Sequence, residues 1–179
     1  MINNLLYWLS SLFLKVLGWR KVGELPAVSK YVLIGAPHTS NWDFPITLAY
    51  VFAYRVKVFW LGKHTLFRKP FGCLLKWMGG IPIDRSKSNN FVSQSIELYN
   101  KLEKLIMIVS PEGTRKKVTH WKTGFYHIAS GANVPIFLGF LDFRNKLGGF
   151  GPMIIPTGDF GADMKKIRKF YADIKGKKP

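Results

Sequence analysis

Apolar runs of strand length alternate with stretches of helical periodicity through the middle of this 179-residue chain. Four runs are typical of buried strands: 31–36, 56–61, 105–109 and 134–141. Residues 79–83 have the pattern of a turn and a further short strand, and helical spacing covers 43–54, 66–78, 91–104 and 121–130. This alternation predicts an α/β fold, a single domain with a mostly parallel central sheet flanked by helices. Functional side chains in such folds lie at the carboxyl ends of strands.

The helix over 43–54 is expected to take Ser40 or Asn41 as its N-cap, with Pro45 in its first turn. The segment before this helix follows directly on the strand over 31–36. It therefore lies at the carboxyl end of that strand, where a site is expected.

The amino-terminal stretch is apolar from Leu5 to Trp19. It is shorter than the roughly 20 apolar residues that a spanning helix needs, and Lys15 interrupts it. Trp8 and Trp19 flank it as in an interfacial anchor, although a plain core helix is the alternative. No basic segment opens the chain, which argues against a signal peptide. The pattern predicts an N-terminal amphipathic or hydrophobic helix that contacts a membrane without spanning it.

The carboxyl-terminal stretch combines apolar residues at helical spacing with dense positive charge. Residues 163–179 contain seven Lys and Arg against Asp163 and Asp173. Met164, Ile167 and Tyr171 follow the period of a helix face. Such a helix either packs on the domain with a solvated basic side or lies on anionic lipid, and the sequence leaves both open.

The composition is strongly basic. The 27 Lys and Arg against 10 Asp and Glu give a net charge of +17, which excludes an acidic substrate mimic and indicates an anionic partner. Nucleic acid, a phosphate-bearing metabolite, an acidic carrier and a phospholipid surface all fit this charge. The 6 Trp, 7 Tyr and 14 Phe favour a membrane interface. The single cysteine, Cys73, cannot form an internal disulfide, so nothing indicates an oxidising compartment.

A histidine and an aspartate follow the first predicted strand, in Pro37-His-Thr-Ser-Asn-Trp-Asp43. If a loop precedes the helix, the Asp43 carboxylate can fold back to the His38 imidazole and accept a hydrogen bond from Nδ1. This leaves Nε2 free to take a proton from a hydroxyl. The alternative is that Asp43 only stabilises the amino terminus of its helix.

Two further segments place an arginine just beyond a predicted strand. They are Gly79-Gly-Ile-Pro-Ile-Asp-Arg85 and Ser110-Pro-Glu-Gly-Thr-Arg115. A guanidinium there can grip a phosphate with two hydrogen bonds, and Gly113 lets the backbone approach a ligand. Glu112 is expected to orient one of the arginines. For either arginine, the alternative is a surface ion pair.

The order of these segments, followed by Asn133-Val-Pro-Ile136, resembles the glycerolipid acyltransferase family, which includes the bacterial 1-acylglycerol-3-phosphate acyltransferases. Gly62-Lys-His-Thr-Leu-Phe67 is similar to the segment between the first two motifs of that family. The resemblance runs from about Tyr31 to Leu141. Pro37 stands where many members have Asn directly before the catalytic His, a difference that bears on the acceptor.

The resemblance implies a role for each motif residue. His38 is the general base that deprotonates an acceptor hydroxyl, and Asp43 holds it. The acceptor phosphate or equivalent anion is bound by a larger set: Lys63, Arg85, Glu112, Gly113, Thr114 and Arg115. The oxyanion donors are expected near Gly80 and Ile81.

The resemblance also implies the partners and the location. The acyl group comes from acyl-CoA or acyl carrier protein as co-substrate, with no other cofactor and no metal. The acceptor is a lysophospholipid, such as lysophosphatidic acid, or a related lipid. Peripheral or monotopic attachment to an anionic membrane surface, at the cytoplasmic face of the cell membrane, is expected.

The expected division of the chain has three parts. Residues 1–22 form the membrane-contacting helix, 23–160 the acyltransferase domain, and 161–179 the basic amphipathic helix and tail. The alternatives to the enzyme are a basic nucleic-acid-binding module and a catalytically inactive lipid-binding relative. No nucleic-acid partner is expected, because no recognition-module signature is present.

Overall fold

Seven strands form one sheet in the computed structural model, which describes residues 4–83, 88–116 and 118–178. They are β1 (Arg20–Val22), β2 (Lys30–Ala36), β3 (Phe59–Lys63), β4 (Gly80–Ile83), β5 (Leu105–Val109), β6 (Ile136–Asp142) and β7 (Leu147–Ile154). Their order across the sheet is β1-β7-β6-β2-β5-β3-β4, and only β6 and β7 are antiparallel. The predicted mostly parallel α/β sheet is therefore confirmed.

The helices lie on both faces of this sheet. They are α1 (Asn4–Val16), α2 (Asp43–Ala53), α3 (Gly72–Trp77), α4 (Ser88–Lys101), α5 (Gly124–Gly131) and α6 (Phe160–Tyr171). The central strand β2 alternates between two cores, with Val32 and Ile34 packed among residues of α4, α5 and α6. Tyr31 and Leu33 point into the opposite core, on the side of α2. Because both faces of β2 are buried, the strand is apolar throughout, as in other covered parallel sheets.

The sequence pattern predicted β5 with its observed bounds. Other elements were predicted wrongly, and the structure shows why. The predicted helix over 66–78 is instead a 3₁₀ turn (His64–Phe67) and α3, interrupted at Pro70, which has no N–H to donate. Strands β1 and β7 were not predicted. β1 is a three-residue exposed segment, and β7 contains Gly148, Gly149 and Gly151 and lacks a continuous apolar run. β1 extends the sheet across the expected boundary at residue 22.

Helix α1 packs on α2 and leaves much of its surface uncovered. Leu14 is buried in a core with Ile46 and Tyr50. Trp19 is also buried there, and the centroids of its ring and of the Phe143 ring are 4.9 Å apart. Its expected role as an interfacial anchor was therefore wrong. The exposed apolar residues of α1 are Leu5, Trp8, Leu9, Leu12, Phe13 and Val16. Among the described residues, no helix has the length and hydropathy needed to cross a membrane.

Helix α6 packs on the domain, as in the first of the two interpretations of its sequence. Asp159 caps it by accepting a hydrogen bond from the backbone N–H of Ala162 at 3.0 Å. Met164, Ile167 and Tyr171 are buried in the core that covers β2, and the Tyr171 hydroxyl donates to the Gly139 carbonyl at 2.9 Å. The apolar face of α6 is thus used inside the domain and is not available for insertion into lipid, and contact of its basic face with a membrane stays a prediction.

Candidate active site

Two loops meet at the carboxyl ends of the neighbouring parallel strands β2 and β5. Ile34 of β2 pairs with Val109 of β5, so the segment after each strand leaves the sheet at the same edge. The β2 loop leads into α2 and carries His38, and the β5 loop carries Glu112. The topology therefore brings together two motifs that are more than 70 residues apart along the chain.

The side chains of His38 and Asp43 contact each other directly. Nδ1 of His38 lies 3.0 Å from Oδ2 of Asp43, with the imidazole side chain 34% exposed and the carboxylate 5% exposed. When Nδ1–H donates to this carboxylate, Nε2 of the neutral ring is left as an acceptor. The expected return of Asp43 to His38 is thus present in the structure.

Asp43 reaches His38 because the loop before α2 wraps around its carboxylate. The same Oδ2 accepts hydrogen bonds from the backbone N–H groups of Thr39, at 2.7 Å, and Ser40, at 2.8 Å. The N-cap of α2 is Trp42, without a side-chain cap bond, so the prediction of Ser40 or Asn41 was wrong. Asp43 is the first helical residue, where a negative charge also stabilises the helix terminus. Asp43 therefore contacts His38 and also lies where it stabilises the helix terminus, so the interpretation that it only stabilises the helix was wrong.

Glu112 binds the backbone of His38. Its Oε2 accepts from the His38 backbone N–H at 2.6 Å, and the Ser110 hydroxyl lies 3.4 Å from the same oxygen. Burial raises the pKa of the Glu112 carboxyl, an effect that the hydrogen bond from His38 opposes. Glu112 was expected to orient an arginine in the phosphate pocket, but the structure places its carboxylate on the loop that holds the histidine.

The residues after Glu112 form an exposed turn with basic neighbours. Gly113 has a φ of 64°, in the left-handed region that favours glycine, and the side chain of Lys122 lies against it. Thr114 accepts from the backbone N–H of Lys116 at 3.3 Å, and Arg115 is exposed without an ion pair among the described residues. Lys122 was not predicted as a site residue, because the sequence pattern placed it in a helix over 121–130 with no motif around it, whereas α5 begins at Gly124.

The remaining predicted site residues are only partly located. Lys63 ends β3, so its backbone lies at the same sheet edge as the His38 loop, and Arg85 lies outside the described residues. Gly80 and Ile81 begin β4, and Gly80 pairs with Trp60, which in turn pairs with Ile108 near the carboxyl end of β5. Their expected role as oxyanion donors stays a prediction.

The part of the chain that carries the His38–Asp43 pair also matches a known protein family. Residues 20–137 match the model of a family described as Acyltransferase, and the chain therefore belongs to that family. The match includes both the His38–Asp43 loop and the segment 110–115. It does not include α1 or the chain beyond residue 137.

Among solved structures, the fold is similar to that of the 1-acyl-sn-glycerophosphate (LPA) acyltransferase PlsC from Thermotoga maritima. The TM-score is 0.66 at 18% sequence identity, over 92% of this chain and 74% of that one. No match was found among curated proteins. The similarity to PlsC extends the agreement in fold beyond the segment that the family model matches.

Proposed function

We propose that the protein is a membrane-associated O-acyltransferase that moves a fatty acyl group from an acyl thioester to a hydroxyl of a lysophospholipid or related lipid. The observation that carries this proposal is the 3.0 Å contact between His38 Nδ1 and Asp43 Oδ2, in a chain of the acyltransferase family. A histidine held in this way has the geometry of a general base for a hydroxyl.

The reaction needs His38 as base and then as acid. Nε2 takes the proton of the acceptor hydroxyl while the oxygen attacks the thioester carbonyl carbon. The C–S bond of the resulting tetrahedral species breaks, and the thiolate takes the proton back from the imidazolium. Asp43 stabilises the positive ring between these steps. The acyl group passes directly from donor to acceptor, without a covalent acyl-enzyme.

In the proposed reaction, the anionic group of the acceptor binds next to His38. Arg115 is supported by its exposure and its lack of a described carboxylate partner, and Arg85 and Lys63 follow from the motif resemblance. Gly113 and Thr114 contribute an open turn next to Arg115. Glu112 takes the separate role of holding the His38 loop, because a carboxylate already engaged with that backbone would repel a phosphate.

Membrane association is supported by exposed apolar surface on both sides of α2. Helix α1 packs on α2, and Trp77 of α3 contacts Phe52 of α2 with ring centroids 6.5 Å apart. The exposed apolar residues of α2 and α3, together with the residue before each helix, are Trp42, Phe44, Phe71, Leu74 and Trp77. With α1, they place exposed apolar side chains on and next to α2, the helix that begins at the catalytic loop. Clustered exposed apolar side chains of this kind are typical of proteins that contact a membrane.

The donor is acyl-CoA or acyl carrier protein, since both carry the negative charge that a chain of net charge +17 attracts. Both donors are available at the cytoplasmic face of the membrane, where we place the enzyme. Neither requires a further cofactor.

The proposed function is tested by acyl transfer in detergent, with palmitoyl-CoA and palmitoyl carrier protein as donors. The acceptors are lysophosphatidic acid, other lysophospholipids and amino-acid lipids, each paired with an analogue whose free hydroxyl is replaced by hydrogen. We expect an ester product with at least one acceptor and none with its deoxy analogue. Release of free fatty acid as the sole product with every acceptor would overturn the proposal.

A further inference from the structure

The segment after α6 returns to the catalytic loop. Its start is tied to the end of β6, because the Phe143 N–H donates to the Lys175 carbonyl at 2.9 Å and the Lys175 N–H to Asp142 Oδ1 at 3.4 Å. Its end reaches the loop between His38 and Asp43, where the Lys178 N–H donates to Thr39 Oγ1 at 3.2 Å. We call Lys175–Lys178 the C-terminal strap.

The strap approaches the loop more closely than a side chain at its centre permits. A Cβ built on Gly176 lies 2.5 Å from Oγ1 and 2.6 Å from Cγ2 of Thr39, closer than real Cβ contacts occur. Only glycine therefore fits without displacing the strap or the loop. Thr39 in turn donates its backbone N–H to Asp43 Oδ2, the oxygen that faces His38. The strap thus packs directly on the loop that holds the base.

The strap places uncompensated positive charge at this loop. Nζ of Lys177 lies 4.5 Å from the ring centroid of Trp42, which holds the ammonium above the residue next to Asp43. Lys178 is exposed, and neither lysine has a carboxylate partner among the described residues. Unpaired ammonium groups held at one place attract an anion, and a phosphate ester is the anion that the proposed substrates carry.

We infer that Lys177 and Lys178 form an anion-binding subsite of the active site, which takes a phosphate ester of a substrate. This inference rests on the proposed function and deepens it. The strap lies outside residues 20–137, so the family match does not assign it a role. The phosphate belongs either to a lysophospholipid acceptor or to the coenzyme A part of the donor. The experiment separates these two sources.

The test measures binding directly, so that it does not depend on turnover. Dissociation constants are measured for a soluble short-chain 1-acylglycerol 3-phosphate and for coenzyme A, each compared with a phosphate-free counterpart, 1-acylglycerol and pantetheine. The variant K177Q/K178Q is compared with K165Q/K169Q, which removes the same charge from exposed positions of α6. We expect K177Q/K178Q to weaken binding of one phosphate-bearing probe about tenfold. The control variant and both phosphate-free probes are expected to change less than twofold.

The probe that loses affinity identifies the source. Weaker binding of 1-acylglycerol 3-phosphate assigns the subsite to the acceptor, and weaker binding of coenzyme A assigns it to the donor. Gly176→Ala, which pushes the strap away from Thr39, is expected to weaken the same probe, whereas Gly161→Ala, with only ordinary contact around its Cβ, is not.

The subsite and the proposed reaction fail in different ways. Unchanged affinity of both probes in K177Q/K178Q, or no binding of either probe to the wild type, would overturn the subsite. If K177Q/K178Q binds a phosphate-bearing probe more weakly than the wild type does, but the wild type transfers no acyl group, the subsite would be supported and the proposed reaction overturned.

Discussion

At the scale of single residues, two carboxylates hold His38 at different points. Asp43 accepts from the imidazole, and Glu112 accepts from the backbone N–H of the same residue at 2.6 Å. The first fixes the ring, and the second fixes the position of the loop from which the ring projects. Glu112 is therefore a positioning residue in this account, although it belongs to the motif that carries Arg115.

Substitution of Glu112 separates these roles. Glu112→Gln keeps an oxygen that can accept from the His38 N–H, so we expect kcat to fall less than about fivefold. Glu112→Ala removes the acceptor and leaves the loop unsupported, and kcat is expected to fall by about tenfold or more. The KM for the acceptor is expected to stay within a factor of two in both variants. A large rise in KM with little loss of kcat would instead place Glu112 in the acceptor site.

Asp163 gives a residue-scale prediction about stability. It is fully buried, and Oδ2 accepts from the Thr157 N–H and hydroxyl, at 2.8 and 2.9 Å, and from the Tyr126 hydroxyl at 3.0 Å. Burial alone would raise the pKa of Asp163, but the hydrogen bonds from Thr157 and Tyr126, with Lys166, outweigh it and lower the pKa. The ionised form is thus favoured by folding. Its contribution to stability is present above the unfolded-state pKa of about 3.9 and is lost as the pH falls through the lowered pKa.

We therefore expect Asp163→Asn to lower the free energy of unfolding by about 2 kcal/mol at pH 7. Tyr126→Phe, which removes one donor, is expected to cost about 1 kcal/mol. Urea unfolding at pH 7 and at pH 3 measures both effects. The difference between wild type and Asp163→Asn is expected to shrink at pH 3. A pH-independent difference would show that the carboxylate charge is not what stabilises the fold.

At the scale of elements, α1 divides its residues between the domain and the surface. Leu14 is 3% exposed against the core, whereas Leu9 and Leu12 are 53% and 58% exposed. Burying a leucine side chain in an apolar medium contributes about 1.5–3 kcal/mol. The exposed leucines of α1 thus offer enough apolar area to matter for binding to lipid.

We expect Leu9→Gln with Leu12→Gln to weaken binding to vesicles that contain anionic phospholipid by at least about tenfold, while the free energy of unfolding changes little. Leu102→Gln is the matched control, because Leu102 is also an exposed leucine and follows α4, on the other face of the sheet. Vesicle sedimentation measures all three proteins. Equal loss in the control, or no loss in the α1 variant, would remove α1 from the membrane-contacting surface.

Element-scale prediction from the sequence worked where periodicity was undisturbed. β5 is a pure apolar run, Leu-Ile-Met-Ile-Val, and its bounds agree with the structure. The burial of β7 changes irregularly along its length, and β1 is exposed at all three positions. Neither strand therefore shows a hydrophobic pattern in the sequence. Both strands exist because tertiary pairing supplies their hydrogen bonds.

At the scale of the whole molecule, the excess of basic residues is not neutralised internally. Two acidic side chains form ion pairs among the described residues. Asp163 pairs with Lys166 at 3.5 Å, and Asp43 pairs with His38. The positive charge is thus available to an external anion. This agrees with a protein that works on phosphate-bearing lipid at an anionic surface.

The candidate site was predictable in part, because its motifs are local. His38 and Asp43 are five residues apart, and both follow a recognisable strand, so their contact could be expected from the sequence. The contact of Lys178 with Thr39 spans 139 positions and depends on the path of the chain after α6. No local pattern specifies such a path. The role of Glu112 was likewise missed, because the pairing of β2 with β5 decides it.

The most direct test of the account is the initial rate of acyl transfer from a thioester to a lipid hydroxyl by wild type and by His38→Ala, at equal concentration on the same acceptor vesicles. Because His38 is partly exposed and lies in a surface loop, the variant is expected to keep the circular dichroism spectrum and vesicle binding of the wild type. We expect the rate to fall by at least about 100-fold in the variant, since a positioned general base contributes about 10²–10⁴ to rate. A folded His38→Ala protein that retains more than a tenth of the wild-type rate would contradict it.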